Sequence, residues 1–153
     1  MYRRSIYTIW KRTSPPPSMV IFDVGDRDVC TVRRRTTNTP LQALVLLNDP
    51  QYQEACRVLA EGVIRNTGNE DDVRLTRVFR LVLGRRPDAK EMDLMRAYYA
   101  AERKKYEARP ADALAYLGIG ETPRDPDLEP ADVAALSLVA NSLMNTNEGT
   151  AFQ

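Results

Sequence analysis

The sequence predicts a mainly α protein: an irregular bundle of about five helices, preceded by an extended N-terminal segment with short strands. Three observations lead there. After residue 39, apolar residues recur at the i, i+3, i+4 spacing of a helix face. Thr39 and Asp88 each precede a Gln or Glu at the spacing of a capping box. Before residue 39 the chain instead mixes aromatic and β-branched runs with Pro and Gly. At 153 residues the chain is one domain's worth, read as an extended basic lead (1–38), a helical bundle (39–147) and a fraying tail (148–153).

The lead opens with SIYTIW (residues 5–10), whose composition is that of a strand. Ile6, Thr8 and Trp10 would face one way and Tyr7 and Ile9 the other, so both faces want covering. Pro15, Pro16 and Pro17 follow as a polyproline segment. Residues 19–22 are a second short apolar run and residues 28–32 a third extended run, separated by a turn at Asp23-Val24-Gly25-Asp26.

Residues 33–50, RRRTTNTPLQALVLLNDP, hold the strongest local signals. Thr39 is the expected N-cap, Gln42 its capping-box partner, and Pro40 sits at the first helical position with φ preset. Only Gln42 is polar in residues 41–47, and a helix apolar nearly all round is expected to be buried. Asp49 and Pro50 repeat the cap-and-proline start for the next helix.

In that helix Tyr52, Ala55, Cys56, Leu59, Ala60, Val63 and Ile64 make one face, stopped at Thr67-Gly68. Asn69 is the expected cap of the next, with Glu70, Asp71 and Asp72 at its positive end and Leu75, Val78, Phe79, Val82 and Leu83 inward. Asp88 and Glu91 open another helix. Its stripe is read as Leu94, Ala97, Tyr98 and Ala101, joined by Met92, Met95 and Tyr99, with a solvated charged tail at residues 102–107. A short helix is expected over residues 110–117, a loop over 118–126, and a final helix from Pro130 with Val133, Leu136, Ala140, Leu143 and Met144 inward. No internal repeat is present.

Composition removes several functions. There is no histidine, which excludes a Ser-His-Asp triad and histidine ligation of metal or haem. Cys30 and Cys56 are too few for a four-thiolate zinc site; both are read as free thiols, Cys56 on a buried face. A net charge of +1 provides no field to attract nucleic acid. No apolar run reaches the roughly 20 residues that span a bilayer, and the first twelve residues do not form a signal peptide.

The candidate chemistry lies in the lead. Arg33, Arg34 and Arg35 precede the positive end of a helix, the wrong sign for its dipole. Either carboxylates from elsewhere pair with them, or they hold an anion together with Asn38, Arg12 and the free N–H groups of the helix start. Asp23, Asp26 and Asp28 form an acidic group without the spacing of a calcium loop. Turn formation is the simpler role for them, and a hydrolytic acid pair the alternative. Gly118-Ile119-Gly120-Glu121 follows no strand and lacks Gly-Lys-Ser/Thr, so it is no phosphate loop.

Residues 2–23 (YRRSIYTIWKRTSPPPSMVIFD) and 28–55 (DVCTVRRRTTNTPLQALVLLNDPQYQEA) resemble the C-terminal part of the planctomycete secreted domain of unknown function. Residues 74–95 and the closing SLMNTNE are similar to it too. The resemblance implies an extracytoplasmic setting within a larger protein, often linked to a cytochrome-c-like domain. It implies partnership with the other domains of that protein and no catalytic residues. This chain has no Cys-x-x-Cys-His, so no cofactor is expected here, and c-type haem would sit on another domain. The family's domain continues upstream of Tyr2, so this chain is expected to be its final portion. The ending Glu148-Gly149-Thr150-Ala151 departs from the family's Glu-Phe ending.

These readings favour a non-catalytic structural or interaction module. The alternative is part of an enzyme active site acting on an anionic or polysaccharide substrate through the arginine cluster. A strand at residues 5–10 without neighbours would also promote self-association. If the arginines hold an anion, sulfate or a sulfated sugar raises the melting temperature, and Arg34→Ala abolishes the rise. No rise in the parent chain removes the anion site.

Overall fold

The computed structural model describes residues 7–11, 13–25, 32 and 37–150. Among them are eight helices and no strand: α1 (Pro17–Ile21), α2 (Pro40–Asn48), α3 (Pro50–Thr67), α4 (Asp71–Leu83), α5 (Ala89–Ala108), α6 (Pro110–Leu117), α7 (Pro130–Met144) and α8 (Asn147–Thr150). The chain forms two compact units, Met1–Val45 and Leu46–Gln153, and the change of unit falls within α2.

The mainly helical class stands, and the N-terminal strands do not. Residues 7–10 form no strand, and residues 5 and 6 lie outside the described residues. The apolar run at residues 19–22 falls largely in α1, because Pro17 occupies the first helical turn with its φ already set. Of residues 28–32 only Val32 is described. A strand needs a partner row of N–H and C=O groups, and no described segment offers one. Self-association through a strand at residues 5–10 therefore loses its basis. The helix count exceeds about five because α1 and α8 are short pieces without a long apolar period.

The predicted starts are present. Gln42 N–H donates to Thr39 Oγ1 at 3.3 Å, and Thr39 N–H donates to Gln42 Oε1 at 3.0 Å. Gln51 N–H donates to Asp49 at 2.8 Å, capping α3. Asp88 and Glu91 form a full capping box on α5. For α4 the cap is Glu70 rather than Asn69, whose side chain instead accepts from Arg74.

The second unit is built around α7. Ten of its 15 residues are buried, and it packs on α3, α4, α5, α6 and α8. Ala131, Ala134, Ala135 and Ala140 let neighbouring helices come close. One apolar cluster joins Cys56, Ala60 and Val63 to Leu75, Val78, Phe79, Met95, Leu136 and Val139. A second joins Tyr106, Ala113 and Leu117 to Val133 and Ala134.

Two expectations about faces are corrected. In α2, Leu41, Leu44 and Leu47 are 52%, 56% and 47% exposed, and only Gln42 and Leu46 are buried. The expectation of a buried helix fails for α2; the helix that is buried is α7, apolar nearly all round. In α5 the inner stripe is Met95, Tyr99 and Tyr106, while Leu94 is 72% exposed and Ala97, Tyr98 and Ala101 face outward. The charged tail hides Tyr106, so it is not wholly solvated. Periodicity found the helix but not its rotation, because alanines and methionines blur the apolar edge.

The loop between α6 and α7 is held by buried charge. Glu54, 2% exposed, accepts from the N–H groups of Glu121 at 2.9 Å and Thr122 at 2.7 Å. Arg57, 1% exposed, donates to Glu61 and to the Thr122 carbonyl. Gly120 has φ 106°, and a Cβ there would run into Glu54 Oε2. Gly120→Ala is expected to cost at least about 2 kcal/mol in urea unfolding, whereas Leu44→Ala changes stability by no more than about 0.5 kcal/mol. Equal effects would contradict this packing.

Candidate functional site

Of the residues put forward from the sequence, Asp23 and Asn38 are described. Arg12, Arg33, Arg34, Arg35, Asp26 and Asp28 lie outside the described residues, as does Cys30. Around Asp23 the first unit forms a polar knot. Asp23 follows α1 with φ 55°, a left-handed conformation that Asp tolerates. Its Oδ2 accepts from Thr37 N–H at 2.8 Å and from Thr37 Oγ1 at 2.6 Å. Thr37 Oγ1 in turn accepts from Gln42 Nε2 at 3.2 Å, and the same nitrogen donates to the Ile21 carbonyl at 2.8 Å.

Gln42 thus closes the α2 cap with one end of its amide and ties α2 to the end of α1 with the other. It is 3% exposed, and satisfaction of both ends makes its burial tolerable. Asp23 is thus engaged with Thr37 at the turn that follows α1. Asn38 is exposed beside Thr37. Sequence reading did not single out Thr37. Its signal was Gln42, the lone polar residue in an apolar run.

In the second unit the charged side chains with the greatest burial close on the fold itself. Arg74, 4% exposed, donates to the Gly68 carbonyl, to Asn69 and to Asp132 at 2.9, 3.2 and 3.1 Å. Arg65 pairs with Asp125, which is 8% exposed. The loop at residues 118–126 does cradle an anion, with Gly120 at positive φ, but the anion is the chain's own Glu54. Cys56 lies 3.5 Å from the Met144 sulfur, and burial pushes its thiol up to about 11, so it is no nucleophile near neutrality. Among the described residues no three carboxylate or thiol side chains converge as metal ligands would. No described helix is long and apolar enough to cross a membrane.

At the surface, Arg85 donates to both oxygens of Glu91 and both of Glu148, and its guanidinium lies 4.9 Å from the Phe79 ring centre. The Arg85 hydrogen bonds hold Glu91 down at about 2, with help from the Asp88 N–H. A carboxyl depressed in the folded state stabilises above its ordinary value of 4.5 and loses that contribution as pH falls through about 2. Glu91→Gln is therefore expected to flatten the fall in melting temperature over that window. An unchanged acid limb would show the pair contributes nothing.

The family described as PSD1, protein of unknown function (DUF1553), matches residues 1–99. The similarity at residues 142–148 falls outside the matched segment. No curated protein and no solved structure matches this chain. The matched segment runs from the first residue through the α1–α2 knot, α3, α4 and most of α5, and the chain belongs to this family of proteins of unknown function.

Proposed function

We propose that the chain is a non-catalytic structural or interaction module of a larger, extracytoplasmic protein associated with a cytochrome domain. One observation carries the module reading: the buried charged groups Glu54, Arg57, Arg74 and Asp125 are all paired within the fold. An active site keeps perturbed charges facing a cleft. Here they fasten helices and one loop to each other. The extracytoplasmic and cytochrome-linked setting is supported by the resemblance of residues 2–55 and 74–95 alone. Any haem would belong to another domain of that protein.

The contact surface that suits such a module is α2. It carries no charged residue, and Leu41, Leu44 and Leu47 stand out from it. An exposed apolar row on an uncharged helix is suited to burial against another domain. The occupant we assign is the remainder of the polypeptide that carries this module. Mixing the chain with that remainder should raise its melting temperature, since a ligand binding only the folded state stabilises it by mass action. Leu44→Glu should abolish the rise and leave the isolated module's own unfolding nearly unchanged. No rise with the parent chain, or a rise that survives Leu44→Glu, rejects docking through α2.

A further inference from the structure

The short helix α8 borders an apolar cleft of about 310 Å³. Cys56, Leu59, Val82, Ala140 and Met144 line the cleft from α3, α4 and α7, and Gly149 lines it from α8. The Cys56 thiol is 1% exposed and lies 3.5 Å from the Met144 sulfur. Two sulfur atoms are thus screened together, and α8 is one wall of the screen.

What holds α8 differs from what holds the loop at residues 118–126. No residue of α8 is buried. Its backbone bonds are local: Gly149 N–H donates to Thr146 Oγ1 and Thr150 N–H to the Thr146 carbonyl, both at 3.1 Å. The backbone runs close to the end of α7, where a Cβ on Gly149 would lie 2.6 Å from the Leu143 carbonyl oxygen. Glu148 ties α8 to the corner between α4 and α5, where both its oxygens accept from Arg85 at 2.7 Å. The Glu148 side chain is 40% exposed, and ion pairs this open to water hold weakly.

Both partners also tolerate separation. When Glu148 leaves, Arg85 keeps the two oxygens of Glu91 at 2.8 and 2.6 Å and its place over the Phe79 ring. Water takes the place of Arg85 at the exposed carboxylate. No charge is stranded in the core, which is the penalty that locks Glu54 and Arg57. A segment with no buried side chain and a solvent-facing tie opens locally while the core stays folded.

We propose that α8 is a strap, latched by the Arg85–Glu148 pair, whose opening controls access to the cleft that holds Cys56 and Met144. This is independent of docking through α2. The full chain carrying Cys30→Ser, so that Cys56 is its one thiol, is treated with N-ethylmaleimide at low salt. Labelling of Cys56 is timed by mass spectrometry, and the melting temperature of each variant is measured beside it.

Glu148→Gln should speed labelling about fivefold, the upper end for an exposed ion pair, while the melting temperature stays near the parent's. Salt at about 1 M should speed labelling of the parent and leave Glu148→Gln unchanged, because screening acts only where the latch exists. Glu91→Gln spares the latch and should label at or below the parent rate. Three results would overturn the proposal: an unchanged rate in Glu148→Gln, equal acceleration in Glu91→Gln, or acceleration that appears only where the melting temperature falls with it.

Discussion

A buried carboxylate is expensive unless donors replace the water it has lost. Glu54 meets that condition with two backbone N–H groups from the loop that follows α6, and Arg57 beneath them closes on Glu61 and on the loop carbonyl of Thr122. The consequence reaches past the loop. Residues 118–129 deliver the chain to Pro130, where α7 begins, so fixing the loop on α3 fixes the entry of the central helix. Arg65 and Asp125 add a second tie between the same partners. Arg74 and Asp132 then hold the first turn of α7 to α4. Removing one member of such a group would leave the other buried and unpaired, which is why these contacts constrain the fold beyond their net worth.

Hydrophobic packing acts on the rest of α7. Among the described helices α2 and α7 are apolar nearly all round, and of these two α7 is the enclosed one. The difference lies in what surrounds them. α7 carries small residues on several sides and accepts neighbours all round. α2 buries Leu46, whose carbonyl accepts from the buried Asn141 amide at 2.9 Å, and leaves its other leucines outside. Its start is set locally instead, by the Thr39–Gln42 cap and the hydrogen-bonded chain from Asp23 through Thr37.

Polar chemistry in this molecule therefore serves two ends. Where it is buried it fastens elements together. Where it lines the surface between α4 and α5 it stays half open and balanced in sign. The two uses come from the same residue types, and burial alone separates them.

By itself the sequence determined the mainly helical class, the starts of α2, α3 and α5 at Thr39, Asp49 and Asp88, and the stop at Gly68. Those features rest on contacts within a few residues, so local chemistry specifies them. The tertiary structure decided the rest. It exposed Leu41, Leu44 and Leu47. It rotated α5 onto Met95 and Tyr99, and filled the glycine loop with Glu54 from α3, more than sixty residues away. Each of these depends on which distant surface arrives to cover a face or answer a charge, and a periodic pattern does not carry that information.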